Sequence, residues 1–207
     1  MARFKRRRLW IVVGALIVVM VLVSTALLML RPSISASSGG ATATPTLIAS
    51  LCTSGATAAP FSAAEGSSAA FPCSPTRSVL TVPTPLGTIQ TIYYVAELDG
   101  KRYEMMIADY GKVFSGGLTG ILRSIVLDRT KASTMEEYLM TERASEASTL
   151  NEVSGQLISA DNGTRAARIK LYAVGKKLYR VAVAAPLADI ESAPLRAFLD
   201  SFNIPNE

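Results

Sequence analysis

The feature that most constrains this chain is an uncharged run from Leu9 to Leu30. Arg3, Lys5, Arg6, Arg7 and Arg8 precede it, and Arg31 and Pro32 close it. As a helix, a run of this length spans about 33 Å, against a hydrocarbon core of about 30 Å. Backbone groups in lipid must be satisfied within the segment, so a lone span takes the helical form. Trp10 lies just inside the boundary, where an indole ring prefers the headgroup level. With five cations before the run and one after it, the positive-inside rule places the N-terminus in the cytoplasm. The rival reading is a cleavable signal peptide, whose apolar region is normally about 7–15 residues long. This run is longer, and only Ile34-Ser35-Ala36 stands as a loose substitute for an Ala-x-Ala site. The expected organisation is a basic tail over 1–8 and a transmembrane signal anchor over 9–30, in the plasma membrane. Everything beyond is then periplasmic or extracellular, and the lipid bilayer is the first partner.

The net charge of +5 invites a nucleic-acid reading, but the distribution of charge removes it. Residues 1–31 hold six of the 21 basic residues and no acidic one, whereas residues 32–76 carry only Glu65. From Arg77 to Glu207 the basic and acidic residues balance at 15 each. A nucleic-acid groove needs an excess of Lys and Arg on the folded part, so no nucleic acid is expected.

Residues 31–76 are dominated by Ala, Ser, Thr, Gly and Pro. That composition buries little apolar surface, so the segment reads as a tether between membrane and domain. Both cysteines, Cys52 and Cys73, fall within it. An even count outside the cytoplasm favours a disulfide, worth about 3 kcal/mol in the chain-entropy model. Two free thiols are the plainer alternative. A zinc site lacks ligands, because the chain contains no His.

Residues 77–207 suffice for one core. Val, Ile, Thr and Tyr are enriched over 77–82 and 88–98, and Asp99-Gly100 is a two-residue hairpin signal before a return strand over 102–109. On that strand Tyr103, Met105 and Ile107 share a face. Leu118, Ile121, Leu122, Ile125 and Val126 then fall at helical spacing, and a second helix is expected over Met135–Leu150. Strands return near 156–161, 164–173 and 177–184, the last two joined by Val174-Gly175-Lys176. A final helix capped near Ser192 aligns Leu195, Phe198, Leu199 and Phe202. The fold class is α+β, a mostly antiparallel sheet with packed helices.

Chemistry is sparse. Without His there is no Ser–His–Asp or Cys–His catalysis, and no Walker loop is present. Glu136, Glu137, Glu142 and Glu146 read as a solvated helical face rather than a calcium site. Asn162-Gly163-Thr164 matches a glycosylation sequon but is first a turn signal. The glycines Gly111, Gly116, Gly117 and Gly120 surround Phe114-Ser115. They make either a plain loop or an anion-holding turn, with Lys112, Phe114, Gly116 and Gly117 as candidate partner contacts. No catalytic, metal-ligating or cofactor-binding residue is assigned, and no cofactor is expected.

The stretch Gly175-Lys176-Lys177-Leu178-Tyr179-Arg180-Val181-Ala182-Val183, followed by Ala197-Phe198-Leu199-Asp200-Ser201-Phe202, resembles the end of the PsbP-like (Mog/PsbP-type) fold. Thr84-Pro85-Leu86-Gly87 and Asp109-Tyr110 are similar to motifs of membrane-anchored bacterial envelope proteins with that fold. The resemblance implies a PsbP-like α/β/α arrangement and a non-catalytic accessory or binding domain; with the tether and the absence of catalytic groups, the expected function is docking to a membrane or envelope protein. It carries no active site, and the family's metal-linked histidines have no counterpart here. Two other functions stand beside it. One is a module sensing a small ligand or an envelope polymer, which needs a concave aromatic pocket. The other is a carboxylate-based hydrolase, which needs two buried, close acids.

Overall fold

The computed structural model describes residues 47–84 and 87–205. The basic tail and the expected anchor over 9–30 lie outside the described residues. Within the described residues no helix is long and apolar enough to cross a membrane.

Alternation and turn chemistry build the sheet. Strands β4 (Thr76–Thr84), β5 (Gly87–Leu98) and β6 (Lys101–Asp109) form an antiparallel meander. Asp99 and Gly100 join the last two with φ of 50° and 71°, as a type I′ turn requires. After helix α1 (Gly120–Tyr138) come β7 (Thr141–Leu150), β8 (Val153–Asp161), β9 (Arg165–Val174) and β10 (Lys177–Pro186). A 3-10 turn (Leu187–Asp189) and helix α2 (Ala193–Asp200) follow. Strand β10 inserts beside β6 and, with the short β1 (Ser50–Leu51), gives the order β1-β5-β6-β10-β9-β8-β7, with β4 also on β5. Among the described strands only β1 runs parallel to its neighbour.

The segment read as a tether is folded from Leu47 onward, so the domain boundary at residue 77 is corrected. Besides β1, it forms a hairpin of β2 (Ala59–Ser62) and β3 (Ser68–Phe71). Its small residues are what allow this: Ala63, Ser67 and Ala69 are buried beneath the hairpin while Phe71 fills the core. Cys52 and Cys73 are disulfide-bonded, with Cα atoms 5.6 Å apart, which ties the end of β1 to the approach of β4.

A second correction concerns 135–150. The helix ends at Tyr138, Leu139 takes a left-handed conformation (φ 52°), and residues 141–150 are edge strand β7 rather than helix. Glu142 and Glu146 therefore lie on a strand, apart from Glu136 and Glu137 on α1. A third concerns the helix stripe. Val126, Leu127, Thr130 and Thr134 face the sheet, whereas Ile121 and Ile125 face solvent.

The sheet is covered on both sides. Tyr103, Met105 and Ile107 share one face as expected, packed with Phe71, Phe198 and Phe202 from the hairpin and the C-terminal segment. The alternate residues Met106 and Ala108 face α1 together with Leu178, Ala182 and Ile169.

Candidate functional site

Alternation along β6 and β10 delivers two charged side chains to the middle of the α1 face. Glu104 and Arg180 are both buried, with side chains 0% and 2% exposed. The Arg180 guanidinium donates to Glu104 Oε1, to Glu137 Oε2 at 2.8 Å and to Thr134 Oγ1 at 2.7 Å. Arg102 donates to Glu104 Oε2 from Nε at 3.1 Å and from its terminal nitrogen at 3.0 Å. Thr134 in turn donates to the Thr130 carbonyl at 2.7 Å, which fixes its hydroxyl as acceptor for Arg180. The rings of Tyr93 and Tyr138 flank the guanidinium, with centroids 5.7 and 5.8 Å from its carbon.

Charge sets the protonation of this cluster. Burial pushes the Glu104 carboxyl up, but Arg180 and Arg102 outweigh it and hold Glu104 below the usual carboxylate range. Burial alone disfavours the Arg180 charge, and Glu104, Tyr138 and Glu137 more than offset it. Tyr93 is pushed up to about 12, chiefly by burial, and Tyr138 is raised well above its ordinary value for the same reason. At neutral pH Glu104 is therefore ionised and both phenols are neutral. A carboxylate held ionised by two arginines is poorly suited to act as a general acid. Two polar atoms here, Tyr138 Oη and Arg180 Nε, are buried without a hydrogen-bond partner. Beside them a cleft of about 350 Å³ is lined by Leu47, Arg102, Glu137, Tyr138, Met140, Arg165 and Ala184.

The opposite end of α1 carries the residues singled out from the sequence. Lys112 and Gly116 are exposed. Phe114 is half-buried against the α1-face core and stacks on Tyr110, with centroids 6.1 Å apart and planes at 12°. Gly117 has φ of 79°, and a Cβ there would lie 2.8 Å from the Gly175 carbonyl oxygen. That glycine lets the loop close on the β9–β10 turn, where the Leu118 amide bonds the same oxygen at 2.6 Å. Next to this loop, Ile121 is 80% and Ile125 50% exposed.

The Arg180–Glu104 cluster escaped the sequence reading. Its signal was present: a lone Arg within Leu178-Tyr179-Arg180-Val181-Ala182, and a lone Glu within Tyr103-Glu104-Met105-Met106-Ile107, each the one charge in the middle of its strand. As for metal binding, among the described residues no three His, Cys, Asp or Glu side chains converge.

No protein-family model matches the chain, and no curated protein sequence does either. Among solved structures it is similar to the cyanobacterial PsbP protein (CyanoP) of Synechocystis sp. PCC 6803. The identity is 11% and the TM-score 0.49, over 72% of this chain and 94% of that one. A protein of unknown function from Pseudomonas aeruginosa is similar at 10% identity and a TM-score of 0.36, over 72% and 98%. The α+β assignment rests on the chain's own sheet and helices.

Proposed function

We propose that this chain is a non-catalytic accessory or binding protein. Residues 9–30 anchor it in the plasma membrane, and its domain docks to a membrane or envelope protein outside the cytoplasm. The bonded Cys52–Cys73 pair supports a compartment that permits disulfides. The charge pattern around residues 9–30 supports the topology.

The observation that carries the docking surface is the outward pair Ile121 and Ile125. Their spacing matches that of the half-buried Leu122 and the buried Val126, yet only the latter two pack on the sheet. Single exposed apolar residues are ordinary. Two isoleucines one helical turn apart are spaced as anchors for a groove on another protein. They stand beside the exposed loop carrying Lys112 and Gly116, so one surface combines apolar and cationic contacts.

Purification of the full chain from its native membranes in mild detergent tests this. A stoichiometric protein partner is expected, and Ile121→Asp with Ile125→Asp is expected to release it while the fold holds. Recovery of the chain alone overturns the docking role. Retention of the partner by the double variant moves the contact off this surface.

A further inference from the structure

The chain enters the domain at one end of the sheet, where β1 pairs with the last residues of β5 (Leu51↔Glu97). The C-terminal end of α1 and the start of the 3-10 turn are at the same end. The Leu139 carbonyl accepts from Asn162 Nδ2 at 3.4 Å, the Leu187 amide donates to the Thr164 carbonyl at 2.9 Å, and Arg165 donates to the Gly100 carbonyl at 3.0 Å. Of the eight large hydrophobic side chains exposed among the described residues, four gather here: Ile48, Leu51, Leu139 and Leu187. Leu51 and Leu139 are each more than four-fifths exposed. Leu139 adopts its left-handed conformation at the helix end, which sets an apolar side chain where glycine or asparagine is usual. Arg165 beside it has no carboxylate partner among the described residues.

We infer that this end of the domain docks on the phospholipid surface of the membrane that holds the chain, Leu139, Leu187, Ile48 and Leu51 entering the interface and Arg165 meeting lipid phosphate. The inference rests on the proposed anchoring. Its occupant follows from where the chain enters. Residues 31–46 are all that separates the apolar run from Leu47, and 16 residues span at most about 53–58 Å. A link of that length keeps the two ends at an effective concentration on the order of millimolar, so a modest apolar contact suffices for occupancy. Aliphatic side chains with a flanking cation suit the headgroup–acyl boundary. With this end on lipid, the Ile121 and Lys112 surface at the other end of the domain points away from the membrane, toward a partner.

The test uses the full chain with Trp10→Phe, in vesicles of phosphatidylglycerol and phosphatidylethanolamine brominated near the headgroup end of the acyl chains. Leu139→Trp or Leu187→Trp supplies the probe. Val82→Trp is the control, since Val82 pairs with Ile89 toward the opposite end of β5. The expected result is that both probes lose most of their emission while the control keeps its own. Adding Leu187→Asp to the Leu139→Trp chain restores the emission. A Leu139→Trp probe as bright as the control in vesicles overturns the inference, and shielding of that probe only in native membranes assigns the surface to a protein instead. Alkaline carbonate separates the two levels. A chain that stays with the vesicles but shows no quenching keeps its anchor and loses this docking, whereas a chain that is extracted loses both.

Discussion

On one face of the sheet the covering material is rings. Phe198 meets Phe71 and Tyr103 at near-perpendicular angles, with centroids 4.9 and 5.3 Å apart, and Phe61 closes on Phe71 and Tyr94. On the other face, under α1, the fully buried side chains are alanines, methionines and aliphatics around the Arg180–Glu104 pair, and the rings there (Tyr93, Tyr110, Phe114, Tyr138) are only partly buried. Ring edges and faces attract without any demand on solvation, so the first face gains from area and packing. A buried ion pair returns little net stability against its desolvation, although removal of one partner is costly. The ring face therefore carries stability, while the charged face carries selectivity for one placement of α1. The observed register sets Thr134 and Glu137 over Arg180, where both accept from one terminal nitrogen of its guanidinium.

The largest expected effect tests the ring face. Phe198→Ala should cost about 3–5 kcal/mol in chemical denaturation, because it empties a site walled by other rings. A loss near 1 kcal/mol would show that the two faces share the burden evenly.

Next comes the charged face. Glu104→Gln should cost about 3 kcal/mol at neutral pH, since it leaves Arg180 with Glu137 as its remaining carboxylate. Replacing Arg180 and Glu104 together by Met should return most of that loss. If the double replacement is worse than the single, the pair itself is stabilising and the contrast fails. Acid sharpens the same point. Glu104 has a lowered pKa in the folded state, so its contribution is complete above its unfolded value of about 4.3 and disappears as pH falls through the folded value. Stability against pH should therefore slope less steeply below about pH 4 in Glu104→Gln than in the parent chain.

The smallest effect concerns the helix register. Thr134→Val keeps shape but removes the acceptor for Arg180, and about 1–2 kcal/mol should be lost. Broadened α1 resonances in NMR, with the ring face unchanged, would tie that hydroxyl to helix placement.

Much of the sheet was legible in the sequence, because β4–β6 and β8–β10 show the alternation, β-branched residues and turn pairs that strands require. The C-terminal helix was legible from Ser192 and its apolar spacing. Strand β7 was not. Both its faces are largely solvent-exposed, so Thr141-Glu142-Arg143-Ala144-Ser145-Glu146 shows no period of two, and its Glu and Ala favour a helix. It is a strand because β8 pairs with it from Val153 to Asp161. The hairpin over 59–71 was hidden by composition, since Ala and Ser look like a linker until an aromatic wall is supplied by residues over a hundred positions away. As for the candidate surface, the residues of the 111–117 loop were visible as a cluster. The outward turn of Ile121 and Ile125 was not, because periodicity names a stripe without saying which part of it meets the sheet.

The disulfide has a mechanical consequence. A pull on the N-terminal side of the domain first meets β1, which is only two residues long and would peel from β5. At Cys52 the load crosses the sulfur bridge to Cys73 and continues into β4, leaving residues 53–72 outside the path. Strand β4 is then drawn along its own axis against nine paired residues of β5, a shear geometry in which the ladder resists as a unit. The bridge thus converts an edge that would unzip into a clamp on the long β4–β5 hairpin.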